Sequence, residues 1–200
     1  MEPKSFEAIL ARHCAPALMG LKAANLVSLA AGRWPELESL AARYNEELEE
    51  VRFLVLGHCR ERTLLLVYRP SLMEEALAHP LAKELLRRAG YPVEAPLGWQ
   101  LRRLMERLKG EGDFPHEVGL FLGYPPEDVL GFLSDPGGKG CKLCGTWKVY
   151  HDVEGAERKF RSYRRCQSWL EAKLAGGETI VSLLGRREKP TTQLSRRNVS

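Results

Sequence analysis

No apolar run in this sequence approaches the roughly 20 residues that a membrane-spanning helix needs, so no transmembrane segment is expected. The opening residues, MEPKSFEAILARHCAP, carry acids where an export signal would carry a basic and then an apolar stretch. Together these features point to the cytoplasm. The loops GxxxxGK[ST], GxGxxG and GxSxG are absent, which removes sequence support for nucleotide-phosphate cradles and serine-hydrolase elbows. His116-Glu117 is not a zinc-protease HExxH, because position 120 is Leu. There is no second CxxC, no HxxxH and no internal repeat. The cysteine count of five is odd, and with no export signal it fits free thiols in a reducing compartment better than a disulfide framework.

The body also lacks an excess of one charge. The net charge is +4, and residues 185–200 hold Arg186, Arg187, Lys189, Arg196 and Arg197 against Glu188, which accounts for all of it. Nucleic acid is therefore not expected as a partner, except weakly through this basic tail. The tail is polar and aperiodic and contains Pro190, so it is expected to be disordered.

What is present suits one globular α+β domain over residues 1–184, in a chain of 200 residues that is 44% hydrophobic. The pattern predicts helices over 5–12, with Ser5 as N-cap, and over 15–31, stopped by Gly32. Pro35 opens an amphipathic helix to about Glu50, striped by Leu37, Leu40, Ala41, Tyr44 and Leu48. VRFLVLGH (51–58) and RTLLLVYR (62–69) read as a β-hairpin around a polar turn in which His58 and Cys59 face solvent. Helices follow at 71–78, 80–89, 98–109, 115–122 and 126–133, then a glycine-rich turn, a strand at 146–152 and a long helix at 153–175. ETIVSLL forms a short terminal element. The expected result is a helix-rich domain with a small antiparallel or mixed sheet of about three strands.

The stretch Gly112–Val153 concentrates chemistry: two cysteines, two histidines, four prolines and an aromatic-rich segment. Cys141 and Cys144 form a lone CxxC, which can bind a metal or cycle through a disulfide. His116 stands in the first turn of a predicted helix, where the dipole favours a neutral imidazole able to ligate metal or act as a base. Cys14 lies near a predicted helix start, a setting that stabilises a thiolate, with His13 beside it. Lys22 and Asn25, one helical turn apart in an apolar helix, either face solvent or line a pocket near Cys14. Trp147, Lys148 and Tyr150 suit ligand stacking or strand packing.

The blocks HCAPALMGLKAANL, LLVYR, GYP, FPHEVGLFLGYPPEDVLGF and CGTWKVYHD, in this order, resemble DUF3793, a family of unknown function in small proteins, mostly of anaerobic bacteria. The resemblance implies a soluble cytosolic single-domain protein with no established reaction. Its recurrent blocks cover His13, Cys14, Lys22, Asn25, His116, Glu117, Cys144, Trp147 and Lys148. An aromatic often stands near Cys141 in the family, and Tyr is more usual at Thr146, which moves the weight from the CxxC pair to Cys144.

Three functional expectations follow. The first is a cysteine-centred metal or thiol-redox site, with Cys14, His116 and Cys144, joined by His13 or Glu117, converging at the sheet edge around zinc or iron. The second is a hydrolase or transferase in which Cys14 attacks and His116 is the base. The third is a non-catalytic module in which FPHEVGLFLGYPPEDV is a rigid helix–turn–helix scaffold and Trp147, Tyr150 and Lys148 form a surface for a small-molecule ligand or a protein partner, with Lys22 and Asn25 as further candidate ligand-binding residues.

Overall fold

The computed structural model describes residues 3–59, 61–109, 114–135 and 137–185, with the side chains of residues 3–5, His58 and Cys59 outside that set. The expected basic tail, from residue 186 onward, and the solvent-facing placement of His58 and Cys59 therefore lie outside the described residues.

A three-stranded antiparallel sheet forms the middle layer. Its strands are β1 (Ala24–Ala30), β2 (Arg52–Cys59) and β3 (Arg62–Tyr68), in the order β1-β3-β2. The expected hairpin is β2–β3, and its register shifts between Val55 and Gly57, a β-bulge. In the central strand, Leu64 and Leu66 face one helical layer and Leu65 and Val67 the other, so that alternate residues serve two cores and all four are buried. A continuous apolar run is what a strand covered on both faces requires.

On the first face lie α1 (Pro3–Leu18), α2 (Leu37–Glu47), α8 (Val153–Ala175) and α9 (Ile180–Leu184). Phe6, Leu10, Leu18, Tyr44, Phe53 and Leu170 fill this core. The buried Glu7 carboxylate ties its ends together, accepting from Tyr44 Oη and from Ile180 N, each at 3.1 Å. On the second face lie α3 (Pro70–Ala78), α4 (Pro80–Arg88), α5 (Leu97–Lys109), α6 (Val118–Phe121) and α7 (Pro126–Ser134). Met73, Leu86, Leu104 and Phe121 are completely or almost completely buried there. A third, smaller core joins the short hairpin of β4 (Leu143–Cys144) and β5 (Lys148–Val149) to α8 through Trp147, Val149, Phe160 and Tyr163.

The helix expected over 15–31 is instead the end of α1, a turn and β1. Helix α1 begins at Pro3, which puts Ser5 inside it rather than at its cap, and continues through Pro16 to Leu18. Gly20 then adopts a φ of +75°, a conformation that favours glycine and turns the chain. Arg69, from the far end of β3, closes the helix: its Nε donates to Ala17 O at 2.9 Å and its Nη2 to Leu18 O at 2.6 Å. The residues beyond alternate well enough for a strand, and seven paired positions with β3 decide the outcome. Thus the third strand of the sheet is β1. The strand expected at 146–152 contracts to Lys148–Val149 in a separate hairpin, and the helix expected at 115–122 to the single turn α6.

Candidate ligand-binding site

The block CGTWKVYHD is held against α7 by one buried carboxylate. Asp128 is only 2% exposed. Its Oδ2 accepts from Trp147 Nε1 at 2.7 Å, and its Oδ1 accepts from the backbone N–H groups of Tyr150 and His151 at 2.8 and 2.9 Å. Three donors on one carboxylate offset the cost of burying it. Gly131, one turn further along α7, lets the helix pass directly over Tyr150; a Cβ there would overlap the ring. The Trp147 indole is thereby fixed in plane. It stacks on Tyr124 at 5.2 Å between ring centres and meets Phe160 edge-on at 4.5 Å.

A cavity of about 320 Å³ opens between this hairpin, α6–α7 and edge strand β1. Tyr124, Phe132 and Trp147 give it aromatic walls, and Leu26, Leu122 and Val129 aliphatic ones. Its polar side chains are His116, Asp128 and Lys148. Asp128 is already engaged with its three donors. His116 is exposed at the mouth, edge-on to Phe132 at 4.8 Å. The Lys148 Nζ lies 5.3 Å from the centre of the Phe132 ring, and no carboxylate among the described residues forms an ion pair with it. A side chain at Gly138 would overlap the Lys148 ammonium, so this glycine packs directly against that amine. The site is thus a mainly apolar hollow with, among the described residues, a lysine ammonium that no carboxylate pairs.

The sequence-selected residues divide among several places. Trp147, Lys148 and His116 meet in this cavity. Cys14 does not join them: it is fully buried in the first core, and burial pushes its thiol well above the ordinary value, with Lys22 working weakly against this. A thiol in that setting is neutral and unreachable, so the Cys14/His116 nucleophile pair is not assembled. His13, its neighbour on α1, is exposed and lines a separate hollow that Asn25 also lines. Glu117 is buried beneath His116, where it accepts from Tyr91 Oη at 3.0 Å and pairs with Arg107. His116 itself precedes α6, a single turn too short to act as the helix start expected for it. Lys22 and Asn25 do not share a helix face: Lys22 Nζ sits 4.8 Å from the centre of the Tyr124 ring, whereas Asn25 Oδ1 accepts from Ala17 N at 3.1 Å. Cys144 is exposed on β4 beside Cys141. Among the described residues, no group of three or more His, Cys, Asp or Glu side chains stands together to hold a metal ion.

Asp128, Tyr124, Phe132 and Leu26 were not singled out from sequence. Asp128 reads locally as an acid suited to a helix first turn, which it also is; nothing nearby announces a partner 19 residues away. No helix among the described residues is long and apolar enough to cross a membrane.

Fold and site together define an α+β domain whose small antiparallel sheet is covered by helices on both faces, with an apolar cavity beside one edge strand. The chain belongs to the DUF3793 family, described as a protein of unknown function, whose family model matches residues 10–184. No curated protein and no solved structure matches the chain.

Proposed function

We propose that the protein is a binding module for a small organic anion with a flat apolar body. One observation carries this reading: the Lys148 ammonium, in no ion pair with a carboxylate among the described residues, stands at an apolar cavity walled by Trp147, Tyr124 and Phe132. Apolar hollows of about 300 Å³ or more with a few converging polar groups are the usual form of ligand sites. The aromatic rings take a planar body by stacking. The ammonium takes an acidic group as a point charge, strengthened by the low polarity around it. The exposed imidazole of His116 adds a second polar contact at the mouth.

Two fluorescent probes separate these contributions. 1-Anilinonaphthalene-8-sulfonate carries an anionic group that N-phenyl-1-naphthylamine lacks. Both are expected to bind with one site per chain. Lys148→Met should weaken the sulfonate about tenfold, or about 1.4 kcal/mol, and leave the neutral probe unchanged. Leu26→Trp, which fills the cavity, should abolish both. Equal effects of Lys148→Met on the two probes, or binding of either that survives Leu26→Trp, would overturn the reading.

A further inference from the structure

The β4–β5 hairpin carries two thiols that the cavity does not use. Cys141 Sγ lies 3.3 Å from Cys144 Sγ, with Cys144 exposed and Cys141 half-buried. The Cys141 thiol donates to Leu143 O at 3.1 Å, which leaves the Cys144 S–H as donor in the sulfur–sulfur contact. A disulfide needs about 2.05 Å between its sulfurs, so closure asks for a little over 1 Å of movement. Gly138, Gly140 and Gly145 flank the pair, while Lys142 N to Val149 O at 2.8 Å and Gly145 N to Trp147 O at 3.0 Å anchor the hairpin on either side.

We propose that Cys141 and Cys144 are a reversible two-electron redox site that exchanges with small-molecule disulfides, Cys144 attacking and Cys141 resolving. The exposed Cys144 releases its proton to water, and its thiolate attacks one sulfur of a disulfide RSSR. The S–S bond breaks, RS⁻ leaves and takes up a proton, and Cys144 is held as a mixed disulfide. The Cys141 thiolate, its own proton released to water, then attacks the Cys144 sulfur and expels the second RS⁻, which is protonated in turn. The protein loses two protons and two electrons, and RSSR is reduced to two RSH. Exposure assigns the roles, since only Cys144 is open to an incoming disulfide.

Two neighbouring groups shift the Cys144 thiol, and two more stand close by. The hydrogen bond to Cys141 holds the Cys144 thiol above its ordinary value, and the Lys148 ammonium, paired with Cys144 across the hairpin, works the other way. Tyr150 and, through it, Asp135 complete the surroundings. Exchange therefore speeds up as pH rises, because the thiolate is the attacking species.

The test is a peptide map of the full chain after incubation with oxidised glutathione, alkylation with iodoacetamide and tryptic digestion. Lys142 lies between the two cysteines, so trypsin separates them. The expected product is the peptide 140–142 joined by a disulfide to the peptide 143–148, with no glutathione retained and full reversal by excess reduced glutathione. In Cys141→Ser, glutathione should remain on Cys144. Recovery of both peptides alkylated, or glutathione retained on wild-type Cys144 to the same extent as in Cys141→Ser, overturns the proposal. Tight uptake of one zinc per two chains that blocks this oxidation also overturns it, in favour of a metal shared between copies.

Discussion

Replacing Lys22 by Met should stabilise the protein, and the gain should vanish in alkaline solution. Lys22 is 5% exposed and its Nζ faces the Tyr124 ring at 4.8 Å. Burial pushes its amine down from 10.5 to about 8, with the neighbouring Cys14 thiol acting weakly in the opposite direction. At about 1.4 kcal/mol per tenfold change in proton affinity, this displacement corresponds to a burial cost of about 3 kcal/mol. Below pH 8 the amine is charged in both the folded and unfolded chain, and the cost is present in full. Between about 8 and 10.5 the folded protein releases the proton while the unfolded chain keeps it, so stability rises with pH. Above 10.5 both states are neutral and the cost is gone. The Met variant carries no such charge, though it loses a cation–π contact of about 0.5–2 kcal/mol. Lys22→Met should therefore be more stable by about 1–3 kcal/mol at pH 7, with the difference shrinking towards zero by about pH 10.5. Tyr124 is pushed up by burial and weakens the fold at high pH in both proteins alike, so it cancels in the comparison; Cys14 is pushed up mainly by burial and stays protonated in the folded chain of both across this range, so the loss of its weak interaction with Lys22 alters the difference little. Urea unfolding of both proteins from pH 6 to 10.5, followed by circular dichroism, measures the difference directly. A variant less stable by the same amount at every pH would refute the reasoning.

Two further outcomes follow from the framework around the site. Asp128→Asn places an amide N–H₂ among three donors and should cost about 2–3 kcal/mol in urea unfolding, since hydrogen bonds to a charged group are lost; a loss below about 0.5 kcal/mol would mean that the carboxylate does not anchor the hairpin. Arg69→Met removes the donors to Ala17 O and Leu18 O and the ion pair with Glu50, and should cost about 1–3 kcal/mol while speeding amide exchange at the end of α1; exchange unchanged there would contradict the closing role given to Arg69.

Features written in short-range chemistry were legible in the sequence. Pro70, Pro80 and Pro126 mark the first turns of α3, α4 and α7, and the apolar runs of β2 and β3 announce their hairpin. Where two elements share an ambiguous pattern, only long-range pairing decides. Leu18, Leu26 and Leu29 satisfy a helical spacing as well as a strand, and the open edge of β3 draws Ala24–Ala30 into the sheet. The same rearrangement moved Cys14 from a reactive helix start to the C-terminal part of α1, deep in the core. In the site, Trp147, Lys148 and His116 were visible as unusual residues in a short span. Their partners Asp128, Tyr124 and Phe132 were not, because each looks like an ordinary helix or turn residue until the hairpin packs across α7. The CxxC pair is a local feature, yet its 3.3 Å sulfur separation depends on the β4–β5 register, which spacing alone does not supply.

The most direct test of the central claim is a crystal structure of the protein with 1-anilinonaphthalene-8-sulfonate bound. The account predicts the naphthalene ring between Trp147, Tyr124 and Phe132, with the sulfonate in ion-pair contact with Lys148 Nζ. A probe bound elsewhere while this cavity stays empty, or seated in it with the sulfonate turned away from Lys148, would contradict it.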